Sequence, residues 1–145
     1  MRGSLLMRLL APLLLLAGCA TMPQSEWARQ VGWVMPGEGA GPIEALPDTV
    51  QVGRTVTVMV VTRGSSSCTR ADGVEVTREA GEVRVTPYDR VAPAGSPCTR
   101  DLAAFPRPAD LRFDEPGRAV VVVIGRSSPA NGEPVEVRRT ITVRP

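Results

Sequence analysis

Two of the three cysteines open the same triplet: Cys68-Thr69-Arg70 within "SSSCTRAD" and Cys98-Thr99-Arg100 within "SPCTRD". Paired thiols can ligate a metal, supply a reactive nucleophile, mark an internal repeat or form a covalent staple. The rest of the sequence weighs on that choice. There is no histidine, so Ser-His-Asp and Cys-His catalysis are excluded, and a favoured zinc and copper ligand is missing. Two thiols alone make a poor metal site, and no Cys-x-x-Cys redox motif is present. The flanks "ADGVEV" and "DLAAFP" do not match, which weakens the repeat reading.

Other residues invite a chemical reading. Tyr88 beside Asp89 in "TPYDR" suits a recognition hot spot, or a ring packed at a sandwich corner with its hydroxyl bonded. Arg63, Arg70 and Arg100 flank the cysteine loops and would make a small anion-binding cluster if those loops converge. Asp110, Asp114 and Glu115 lie close in sequence, but the oxygen-rich loop that calcium needs is absent; they read as a solvated acidic rim. Ser65–Ser67 and Ser127–Ser128 sit in loop sequence with no base to activate them. The chain thus carries no cofactor motif and no metal-ligand set.

The N-terminus reads as an address. Arg2 and Arg8 precede "LLAPLLLLAG", an apolar run too short to span a bilayer. It ends in Leu16-Ala17-Gly18-Cys19, which resembles the lipobox of bacterial lipoproteins. That resemblance implies cleavage before Cys19, a diacylglyceryl thioether on its sulfur, and attachment to a membrane. Two acyl chains already give a stable anchor. Ala20 follows in place of the Asp that tends to retain such proteins at the inner membrane, which implies the periplasmic face of an outer membrane in a Gram-negative cell. With Cys19 taken by lipid in an oxidising envelope, Cys68 and Cys98 most simply form a disulfide. Free or intermolecular thiols are the alternatives. Closing a loop of that length contributes about 3.7 kcal/mol on the chain-entropy account.

Without residues 1–18 the chain keeps fifteen Arg against fifteen Asp plus Glu. It is near neutral and its basic residues are scattered, which argues against nucleic acid. Residues 19–42 are rich in Pro and Gly and read as a tether. Within them "WARQVGWV" (Trp27–Val34) holds both tryptophans; it docks on the domain, sits at the lipid interface, or binds a partner.

From Ile43 the hydrophobic period becomes two. "TVQVGRTVTVMVVT" predicts two strands turned at Gly53. "VEVTREAGEVRVTPY" predicts a hairpin with Val74, Val76, Val83 and Val85 inward and a turn at Ala80-Gly81. "LRFDEPG" predicts a short strand. "RAVVVVIGR", apolar on both faces, predicts a central covered strand. "VEVRRTITV" follows an Asn131-Gly132 turn, and Arg139 breaks its inward phase, which predicts a bulge or an edge position. About seven strands over residues 43–145, with no helical pattern, predict an all-β domain, an immunoglobulin-like β-sandwich. "LPDTVQVGRTVTVMV" and "FDEPGRAVVVVIGR" resemble segments of bacterial Ig-like domains. The antibody-type Trp of the third strand is missing, and the two cysteines sit in loops, so a staple would tie loops rather than sheets. The functional expectation is a lipid-anchored, non-catalytic envelope module that contacts another envelope protein through the loops around Cys68, Tyr88 and Cys98. The contact residues expected are Arg70, Tyr88, Asp89 and Arg100. The alternative is a small-molecule or metal-binding envelope lipoprotein.

Overall fold

The computed structural model describes residues 26–37, 41–79, 81–130 and 132–145. Cys19 and the signal-like segment lie outside the described residues. Among the described residues nine strands form two sheets. The larger contains β1 (Ala28–Val31), β3 (Thr49–Gln51), β5 (Thr69–Glu79), β6 (Glu82–Val91), β8 (Gly117–Arg126) and β9 (Pro134–Arg144). The smaller contains β2 (Ile43–Glu44), β4 (Thr55–Gly64) and β7 (Ala103–Arg112). The chain is an all-β sandwich.

Alternation builds the interior. Val58 and Val60 of β4, with Ala109 and Leu111 of β7, face Val83 and Val85 of β6, Val121 and Val123 of β8, and Ile141 and Val143 of β9. Successive strand residues point to opposite faces, so each strand gives every second side chain to the space between the sheets. A fully buried valine or leucine contributes about 1.5–3 kcal/mol. The predicted turns fall at glycines with positive φ: Gly53 at 74° and Gly81 at 79°. Asn131, expected at the β8–β9 turn, lies outside the described residues.

The central position of β8 explains its double apolar face. It runs between β6, in parallel, and β9, antiparallel. Val122 is fully buried although it points away from the interior. Arg84 and Arg138 are its direct cross-strand neighbours. Their guanidinium groups are held by Glu82 and Glu136, and their aliphatic stems lie where they can cover Val122.

Four features differ from the sequence reading. First, the domain does not begin at residue 43. β1 pairs with β6 inside the segment read as tether, and Val34 is fully buried in the core. Second, two-residue β2 is added. Third, β7 begins at Ala103, before the predicted Leu111. Pro106 and Pro108 concealed it, but β7 pairs only with β4, and an edge strand tolerates prolines. Fourth, β9 has no bulge: its register with β8 is unbroken. The edge expectation does hold around Arg139, because β3 covers only Thr142–Arg144 of β9.

Candidate functional site

One end of the sandwich gathers most of the residues singled out above. Cys68, in the turn before β5, is bonded to Cys98 in the loop before β7, with their Cα atoms 5.5 Å apart. The bond ties two loops. Hydroxyl groups then clamp them. The Thr99 amide donates to Ser67 Oγ at 2.9 Å, and Thr99 Oγ1 lies 2.9 Å from Ser65 Oγ. Asp101 accepts from the Ser66 amide at 3.1 Å and from the Thr99 hydroxyl. These bonds favour the carboxylate, chiefly the one from Thr99, and lower the Asp101 pKa to about 2. The serine run thus closes the loops.

Beneath this staple lies a buried polar cluster. Asp89, Arg107 and Thr62 are all nearly inaccessible to solvent. Arg107 Nη2 donates to Asp89 Oδ1 at 2.6 Å and to the Phe105 carbonyl at 3.0 Å, and Thr62 Oγ1 donates to Asp89 Oδ1 at 2.9 Å. Arg107 also donates to the carbonyl of Tyr88. Charges this deep persist only when paired and hydrogen-bonded. Asp89 is therefore not a surface contact residue, correcting the expectation: it holds the two sheets together. The strand period contained the signal, because Asp89 is in phase with Val83 and Val85, and Arg107 with Ala109 and Leu111.

Tyr88, one residue along, points outward. The Arg29 guanidinium lies 3.6 Å from its ring centroid, and its hydroxyl donates to Glu75 Oε2 at 3.2 Å. It takes the packed and bonded role rather than standing free. Arg70 lies over the Trp27 ring at 4.9 Å, a cation–π contact. Arg100 is exposed in the Cys98 loop. Of Arg63, Arg70 and Arg100, Arg63 lines the cleft described next, and the other two are not part of its lining.

That cleft, about 310 Å³, lies between the staple and the segment after β1. Trp33, Val91, Pro129 and the disulfide give it apolar walls, and Arg63, Arg126, Asp89 and Asp101 bring charge of both signs. Trp33 is positioned by backbone bridges to both Arg63 and Arg126, one in each sheet. Arg126 Nε donates to the Val31 carbonyl at 2.6 Å, and Nη1 to the Pro129 carbonyl at 3.1 Å. Burial lowers its pKa, opposed by the charge of Asp89. Two glycines permit the close approach. A Cβ on Gly125 would lie 2.3 Å from Val34 Cγ2, and one on Gly32 would lie 2.3 Å from Thr62 Cγ2.

The opposite end has a hollow of about 370 Å³, lined by side chains of both signs. Arg112 Nε bonds Asp114 Oδ1 at 2.9 Å, which lowers the Asp114 pKa, and Arg78 donates to the Arg112 carbonyl at 2.9 Å. Asp110 accepts from Thr57 at 2.6 Å. Among the described residues no three His, Cys, Asp or Glu side chains are grouped to hold a metal ion. Compared with known proteins, the chain matches no protein family, no curated sequence and no solved structure.

Proposed function

We propose that this protein is a lipid-anchored, non-catalytic module of the bacterial cell envelope that engages another envelope protein through the stapled end of its sandwich. The anchor rests on Leu16–Cys19, which resembles a lipobox. The observation that carries the contact surface is the cleft of about 310 Å³ between Trp33 and the disulfide, where strands of both sheets, the staple and the segment after β1 meet. Loops fixed by a covalent bond and a hydroxyl clamp present a preorganised surface, which lowers the ordering cost of binding.

The chain enters the domain at this same end, because Ala28 pairs with Val91 beside the staple. Nine positions separate Ala28 from Cys19, a reach of about 30 Å at full extension. The partner is therefore membrane-embedded or held close to the membrane, at the outer membrane on the sequence reading. A brief in-cell crosslink tests this, followed by purification through a C-terminal tag and mass identification of Cys19 and of co-purifying proteins. One reproducible envelope partner, lost on substitution of Trp33, is the expected result. A lipidated, folded protein that brings no partner overturns it.

A further inference from the structure

The geometry points to the cleft between Trp33 and the Cys68–Cys98 staple as a binding site for a carboxylate carried on a short apolar group, with Arg63 and Arg126 as its counter-charges. This deepens the interaction reading above and rests on it where the ligand is a partner's chain end.

The charge balance of the lining carries the inference. Of its two acids, Asp89 is neutralised by Arg107 at 2.6 Å and accepts from Thr62. Asp101 accepts from Ser66 and Thr99 at the rim, neutral donors that leave its charge in place. Arg63 and Arg126 therefore stand against one uncancelled carboxylate. Arg126 is held by the carbonyls of Val31 and Pro129, which orient its guanidinium without cancelling its charge. Arg63 is fixed through its backbone, whose amide donates to the Trp33 carbonyl at 2.8 Å. Among the described residues its side chain makes no ion pair. The hollow thus holds positive charge in partly desolvated surroundings, where an anion gains most.

The walls choose the kind of anion. Apart from the hydroxyl groups, the Gln30 amide and the charged side chains already named, they are an indole ring, a valine, a proline and two sulfurs. A cleft of about 310 Å³ lies at the small end of ligand sites, which run from about 300 to 1,000 Å³. A phosphate would set its additional oxygens against those apolar walls. A planar carboxylate meets a guanidinium edge with two parallel hydrogen bonds and leaves its apolar tail for the indole. Two sources share this chemistry: a free short-chain acid, and the C-terminal residue of a polypeptide.

The test uses full-length protein in detergent with Trp27→Phe, leaving Trp33 as the reporting fluorophore. Three probes are titrated: isovalerate, acetyl-Ala-Ala-Val with a free C-terminus, and the same peptide amidated. Saturable change with isovalerate and with the free-acid peptide, weakened by salt and absent with the amide, is expected. Binding by the peptide acid alone assigns the site to chain ends, and binding by isovalerate alone to free acids. Arg63→Gln should weaken binding roughly 10- to 100-fold, the range for a hydrogen bond to a charged group. No saturable change, or equal response to acid and amide, overturns the inference without requiring any charge variant to fold. A partner captured in cells together with equal acid and amide responses leaves the interaction reading standing and removes the carboxylate site.

Discussion

The two ends of the sandwich are held by different physics. At the stapled end the chain uses a covalent bond, a buried ion pair and glycines that let backbones touch side chains. At the other end, and on the adjoining outer face of the larger sheet, it uses solvated ion pairs. Arg112 with Asp114, and Arg84 and Arg138 with Glu82 and Glu136, all keep part of their surface in water. Water weakens such pairs and salt screens them. The buried pair has no such escape, since losing one partner leaves a desolvated charge alone. Fixed shape is thus concentrated where the loops carry a cleft, and the solvated end supplies strand closure.

The sharpest way to break this contrast is Asp89→Ala. Stranding Arg107 should cost about 3–5 kcal/mol, a large share of the about 5–15 kcal/mol of a typical domain. Denaturant titration would measure it. Replacing Asp89 and Arg107 together with apolar residues of similar size should recover much of the loss. If Asp89→Ala costs no more than a surface pair, the contrast fails.

Removing the staple by Cys68→Ala with Cys98→Ala should cost about 2–4 kcal/mol. Thermal unfolding gives the stability, and amide exchange should show the loosening confined to Ser65–Asp101 loop residues while the strands stay protected. A uniform loss of protection would show that the staple supports the whole sandwich instead.

Arg84→Gln probes the other side of the comparison. Its guanidinium bonds Glu136 at 2.5 Å and Glu82 at 3.3 Å, yet an exposed network of this kind should yield less than about 1 kcal/mol. That remainder should shrink further in high salt, whereas the Asp89→Ala cost should not. Equal salt sensitivity of the two would erase the distinction.

The smallest effect concerns acid. The Asp101 pKa is lowered in the folded state to about 2 by its bonds to Thr99 and Ser66. A carboxylate with a depressed folded-state value adds stability above its ordinary range and loses it as pH falls toward the folded value. Between about pH 4 and pH 2 the melting temperature of the wild type should therefore fall more steeply than that of Asp101→Asn. Parallel curves would show that the clamp contributes nothing.

Much of this molecule follows from local rules acting on the sequence. The two-residue period of Val83 and Val85, the run "AVVVVI" and the glycines at positions 53 and 81 placed strands and turns where they occur, because alternation and positive φ are properties of a few consecutive residues. The pairing of Cys68 with Cys98 was the simplest reading of the sequence, because Leu16–Cys19 resembles a lipobox and would set Cys19 apart. Prolines and glycines concealed β7 and β1, since local signals cannot tell an edge strand from a loop until a neighbour is known. The candidate site was the least legible part. Asp89 shares the inward phase of Val83 and Val85, but Arg107 lies in the strand that Pro106 and Pro108 concealed, and that one neutralises the other depends on two sheets bringing together residues 18 apart in sequence. Trp33 between Arg63 and Arg126, Val34 against Gly125, and the cleft they border exist only once distant segments pack. Local physics chose the strands; the burial of charge and the contact of remote backbones chose the surface they present.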